Sequence, residues 1–204
     1  KQRLVPGGEF LPLVGLLPES WANSVRQGFQ EALGTPANQR PGLPRPPMRT
    51  ADGVLFGALL CYDNAFPAPA AAQVEAGAEF LVVLSNEAWY RGGAELTQLV
   101  AMTVVRALEN VVPVVRCTLD GHTVAVDASG QVVAGLEIAT APQPSARFLE
   151  VLIEPSEGGV PGMAWLRRSS GWILGLLTAL AAACNLLWMS KIRSNRTVGR
   201  GLVT

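Results

Sequence analysis

Residues 171 to 189 read GWILGLLTALAAACNLLWM, nineteen positions without a single charge. At about 1.5 Å of rise per residue, a helix of that length spans roughly 28 Å, close to the hydrocarbon thickness of a bilayer. A helix buried in a globular core normally keeps a polar stripe, and this run offers only Thr178 and Asn185. The expectation is a membrane span. Trp172 and Trp188 fall near its two ends, where indole rings favour the headgroup layer. Arg167 and Arg168 precede it, and Lys191, Arg193, Arg196 and Arg200 follow it. The excess of cations after the span puts the tail in the cytoplasm and the preceding residues on the outer side of the membrane.

The charges divide along the same line. The chain carries 16 Lys and Arg against 16 Asp and Glu, for a formal net charge of zero, so no global basic excess points to nucleic acid. Residues 1 to 164 hold all 16 acidic residues, whereas residues 165 to 204 hold basic residues and no acid. A hydrophobic content of 49% is too high for a disordered linker. The expected organisation is a body over 1–165, a span with its flanks over 166–190 and a basic tail over 191–204. The opening Lys-Gln-Arg-Leu-Val-Pro lacks the apolar stretch and cleavage site of a secretory signal and reads as a cut through a longer protein.

Within the body, proline and glycine punctuate residues 6 to 53, with PGLPRPP at 41 to 47 as the densest run. That pattern predicts loops around one short helix near Ser20 to Leu33. The texture then changes. VLFGALLC (54–61) and FLVVLS (80–85) are continuous apolar runs, as expected of strands buried on both faces. Between them, PAPAAAQVEAG (67–77) starts with prolines and ends on glycine, as a short helix does. A helical pattern from about Ala94 to Asn110 follows, then strands at 113–119 and 122–127 and a hairpin through Asp-Ala-Ser-Gly into QVVAGL. ARFLEVLIE (146–154) predicts an outer strand. This order predicts an α/β fold with a mixed sheet.

Reactive groups in such folds collect at the carboxyl ends of strands. Cys61-Tyr62-Asp63 ends one predicted strand and Ser85-Asn86-Glu87-Ala88-Trp89-Tyr90 ends the next, so the two can face one cleft. Cys61 at a strand-to-loop junction fits a nucleophile favoured by a nearby cation, or inert core filling. Cys117, inside a strand, and Cys184, inside the apolar run, read as filling. The three cysteines lack the paired spacing of a zinc site, and no metal or cofactor is expected. His122 is the single histidine, so a thiol here takes its partner from Lys or Glu.

Four segments in order carry a resemblance: Lys1-Gln-Arg-Leu-Val-Pro-Gly-Gly-Glu9-Phe, Cys61-Tyr62-Asp63, Ser85-Asn-Glu-Ala-Trp89-Tyr and Arg106-Ala-Leu-Glu-Asn110. The chain resembles the nitrilase (carbon-nitrogen hydrolase) superfamily and, more narrowly, the bacterial apolipoprotein N-acyltransferases. That resemblance implies a four-layer αββα sandwich outside the cytoplasmic (inner) membrane, followed by one C-terminal transmembrane helix. It implies Cys61 as nucleophile, Lys1 as the catalytic lysine and Glu9 as a second carboxylate at the site. Asp63 is matched to the position after the Cys-Tyr pair, where the family usually has Glu. Tyr62 and Trp89 match aromatic residues lining the substrate entrance. The family's glutamate base precedes the lysine and so lies outside this chain, which makes the 204 residues alone an expected inactive piece.

The implied activity moves an acyl chain from a phospholipid donor to the N-terminal α-amino group of a diacylglyceryl-cysteine apolipoprotein, through a Cys thioester. The chemistry is coherent with these residue types. A thiolate attacks the ester and stores the acyl group until an amine takes it, lysine stabilises the thiolate and the oxyanion, and a carboxylate handles the protons. The alternatives are a nitrilase-family amidase that hydrolyses small C–N bonds and an inactive truncated copy.

Overall fold

A computed structural model describes residues 1–34, 37–90, 93–136, 148–156, 172–182 and 184. The chain divides into two compact units, Lys1–Val160 and Pro161–Thr204. In the first, the elements in order are α1 (Glu19–Leu33), β1 (Met48–Arg49), β2 (Leu55–Leu60), α2 (Pro67–Glu75), β3 (Phe80–Asn86), α3 (Glu95–Asn110), β4 (Val114–Leu119), β5 (Thr123–Val126) and β6 (Val132–Leu136). The strands form one mixed sheet in the order β1-β2-β3-β4-β5-β6. Strands β2, β3 and β4 are parallel, and β1, β5 and β6 join antiparallel.

Parallel neighbours need a crossover, and α2 and α3 supply the two that β2, β3 and β4 require. Because the strand order follows the chain order, both crossovers step the same way and lay their helices on one face of the sheet. Proline at the start of α2 costs nothing, since the first helical N–H has no partner in any case. On the covered face Leu59, Leu81, Val83, Val114 and Val126 are fully buried against Ala70 and Ala107. Each such aliphatic side chain contributes about 1.5–3 kcal/mol of burial.

The other face is different. The period of two puts Leu60, Leu84, Cys117 and Leu119 there, and these are exposed, Leu119 to 60%. The expected α/β class and mixed sheet are present; of the two sheets in an αββα sandwich, the described residues form one. The continuous apolar runs thus bury one face and leave the other half open.

Residues 148–156 depart from the expected outer strand. Their burial alternates, with Phe148 and Leu152 exposed and Leu149, Val151 and Ile153 half-buried, but no strand ladder forms among the described residues. The sequence alternation records which side meets the body, and a ladder also needs a free strand edge alongside. The segment is instead tied by the Ser156 amide to the Glu79 carbonyl at 3.0 Å and by the Ser156 hydroxyl to the Val111 carbonyl at 2.9 Å. Residues 146 and 147 lie outside the described residues.

In the second unit, residues 172–182 are helical and exposed. Among the described residues no helix is long and apolar enough to cross a membrane. The expected span over 171–189 lies in part outside the described residues, and the tail over 191–204 lies wholly outside them.

Candidate active site

The site is built where β2 and β3 end side by side. Leu60 pairs with Leu84 in the parallel register, so the chain leaving β2 at Cys61 and the chain leaving β3 at Asn86 emerge on the same edge. Cys61 opens a 3-10 turn, Cys61–Ala65, with φ of 52°. That left-handed conformation is costly for a residue bearing a Cβ, and it turns the thiol out of the sheet at a sharp bend. The side chain is half-buried and the thiol is free.

Lys1 reaches the same place from the amino-terminal arm. Its Nζ donates to both Glu9 carboxylate oxygens at 2.6 Å. The Val5 amide donates to Glu9 Oε2 at 2.8 Å, so the carboxylate is held by its own loop as well as by the ammonium. Both side chains are partly exposed, 15% and 22%. The arm is pinned from two sides. The Gly42 amide donates to the Lys1 carbonyl at 2.7 Å, and a Cβ on Gly42 would sit 3.0 Å from that oxygen, a tight contact to which the arm would have to yield by a few tenths of an ångström.

Asp63 is the other pin. It is 3% exposed, and its Oδ1 accepts from the Gln2 amide at 2.9 Å and the Arg3 amide at 2.6 Å, while Oδ2 takes a longer bond from the Leu60 amide at 3.3 Å. One carboxylate therefore joins the Cys61 turn to the backbone directly after Lys1. Among the described residues its carboxylate bonds only to backbone amides.

Lys1, Glu9, Cys61 and Trp89 line one cavity of about 250 Å³, together with Asn86 and Tyr90. Four of the six residues expected at the site from sequence thus meet in one place. Trp89 is 64% exposed at its edge. Burial pushes the Tyr90 phenol above its usual range, and the negative charges of Cys61, Tyr62 and Glu95 add to the shift. The phenol stays protonated at neutral pH and can donate into the cavity.

Tyr62 turns the other way. It stacks edge-on against Phe66 at 5.1 Å and lines an adjoining groove of about 310 Å³ with Gln2, Phe10 and Phe66. Arg3 caps the Phe66 ring at 5.3 Å. His122 and Cys117 line neither cavity.

Beneath the cavity lies a pair that sequence reasoning missed. Arg116 and Glu87 are both fully buried and ion-paired. Burial pushes the Arg116 guanidinium down to about 10, opposed by the negative charge of a Cys61 thiolate. The available signal was a charge inside the apolar run PVVRCTL, on the inward parity of β4 with Val114. Among the described residues no cluster of His, Cys, Asp and Glu could hold a metal ion.

The carbon-nitrogen hydrolase family model matches residues 17–141. An apolipoprotein N-acyltransferase of Geobacter metallireducens is 35% identical over 65% of this chain and 23% of its own length. One of Brucella melitensis is 31% identical over 95% of this chain and 34% of its own. The chain spans about a third or less of the length of these curated relatives. A crystal structure of an amidase from Nesterenkonia sp. overlaps 50% of this chain and 41% of its own at a TM-score of 0.44, with 26% identity.

Proposed function

Because the chain belongs to the carbon-nitrogen hydrolase family, we propose that it is the C-terminal part of a lipoprotein N-acyltransferase in which Cys61 carries the acyl group. The observation that supports this most is the shared cavity of Lys1, Glu9, Cys61 and Trp89. Similarity to apolipoprotein N-acyltransferases over 95% of the chain supports the substrate class: a phospholipid donor and a diacylglyceryl apolipoprotein acceptor.

In the first half-reaction the Cys61 thiolate attacks the carbonyl carbon of a phospholipid acyl ester. The C–O bond breaks, a proton goes to the leaving alcohol and a lysophospholipid departs, leaving a thioester on Sγ. In the second, the α-amino group attacks the thioester carbonyl, the C–S bond breaks and the amine loses its proton to the base. Lys1, already a cation held by Glu9, is suited to stabilise the thiolate and each oxyanion. The base is a carboxylate supplied from residues preceding Lys1. Asp63 serves by fixing the Lys1 backbone against the Cys61 turn. Trp89 at the rim favours acyl chains over water, which is the competing acceptor.

The same reading assigns the half-open sheet face to the second sheet of the sandwich. It assigns residues 171–189 to a membrane span, with the body outside the inner membrane and the tail in the cytoplasm. The test is acyl transfer from a labelled phospholipid to a diacylglyceryl peptide, run beside ammonia release from small amides. Transfer with negligible ammonia supports the proposal; amide hydrolysis without transfer would favour an amidase.

A further inference from the structure

A buried ion pair is costly to desolvate and is often replaceable by apolar residues without loss of stability, so the place of this one in the fold matters. Glu87 directly follows Asn86 of the cavity wall, and its carbonyl accepts from the Tyr90 amide at 3.0 Å. The short turn that presents Trp89 and Tyr90 is thus built on Glu87. Its amide donates to the Leu119 carbonyl at 2.9 Å, which anchors the turn to the end of β4. On the other side, Arg116 Nη1 approaches Thr103 Oγ1 at 3.4 Å. Thr103 Oγ1 also accepts from Asn64 Nδ2 at 3.0 Å, and Asn64 belongs to the same 3-10 turn as Cys61. One guanidinium therefore connects the turn that carries the thiol to the turn that carries the aromatic wall.

Gly121 completes the arrangement. A Cβ there would lie 2.0 Å from Glu87 Oε2 and 2.8 Å from its carboxyl carbon. The glycine leaves the room that the glutamate side chain occupies.

We propose that Glu87 and Arg116, through Thr103 and Asn64, are positioning residues that set the distance between Cys61 and the Trp89–Tyr90 wall and thereby tune the site to long acyl chains. The inference rests on Cys61 being the nucleophile. It assigns the wall's spacing to the buried pair; the Arg116 charge that couples to a Cys61 thiolate acts on short and long acyl donors alike, so the spacing shows in the ratio of the two rates. A short acyl group touches only the thiol end of the cavity, whereas a long one must pass the wall.

The test is single-turnover acylation of Cys61 in the full-length protein in detergent, with p-nitrophenyl acetate and p-nitrophenyl palmitate as probes. Acylation is read as p-nitrophenolate burst and as added mass, and melting temperature is followed in parallel. Glu87→Gln and Gly121→Ala are expected to lower the palmitate rate by at least about tenfold, the scale of a sub-ångström to ångström misplacement, while the acetate rate holds within about threefold. Glu87→Asp in the Gly121→Ala background is expected to recover part of the palmitate rate, because shortening the side chain removes the clash. An unchanged ratio of the two rates in folded variants would overturn the proposal. So would both rates falling together with the melting temperature, since that is what a purely structural pair produces. Cys61→Ala is expected to abolish both bursts; persistence there would remove the nucleophile itself, a failure distinct from that of the brace.

Discussion

The site holds two carboxylate–cation pairs that differ in everything but charge. Lys1–Glu9 lies at the cavity, with both side chains partly exposed and carried by an arm of loops and turns. Glu87–Arg116 lies below it, fully buried between β3, β4 and α3. The first is placed to meet a substrate and the second to hold the parts that meet it. A partly exposed pair is screened by solvent and contributes less to stability than a buried one, so its value lies chiefly in the chemistry. A buried pair stripped of one partner leaves an uncompensated charge, so its value appears when it is broken.

The contrast can be broken at either pair. Arg116→Met leaves the Glu87 carboxylate buried without its cation, and the expected loss of folding stability is about 3–5 kcal/mol. Denaturant or thermal unfolding of the full-length protein measures it, and a loss below about 1 kcal/mol would make the two pairs equivalent. Lys1→Ala is expected to leave stability nearly intact and to cost about 2.7–4 kcal/mol of transition-state stabilisation, the scale of a lost oxyanion donor. That reads as a fall of several hundred-fold or so in the acylation rate. Asp63→Ala strands the amides of Gln2 and Arg3 and is expected to cost about 1–3 kcal/mol in stability, with a drop in rate because Lys1 loses its anchor. Glu9→Gln is expected to lower stability by no more than about 1 kcal/mol; a stability loss near that of Arg116→Met would place Glu9 in the fold's support instead of at its chemistry.

What was legible in the sequence follows the range of the forces involved. The runs at 54–61, 80–85 and 113–119 matched β2, β3 and β4 to within one residue at either end, because a largely apolar run of that length between turn signals marks a strand in the middle of a sheet. Proline at 67 and glycine at 77 bounded α2 for local backbone reasons. Cys61 and Trp89 could be put in one cleft since both follow adjacent strands. The Glu87–Arg116 pair was not legible, as its partners are 29 positions apart and no local spacing joins them. Asp63 was singled out for its position, but its bonds to the amides of Gln2 and Arg3 depend on how the arm folds back across 60 residues. The two-residue strand β1 and the unladdered segment 148–156 were missed because pairing depends on the neighbour, which alternation alone does not specify.

The central claim is that the sulfur of Cys61 accepts a fatty acyl chain from a phospholipid. Incubating the full-length protein with a phospholipid bearing a labelled acyl chain, without acceptor, and mapping the label by mass spectrometry after proteolysis at low pH tests it directly. The account predicts a hydroxylamine-sensitive acyl group on the peptide containing Cys61, absent from Cys61→Ala. Label on another residue, or equal labelling of Cys61→Ala, would contradict it.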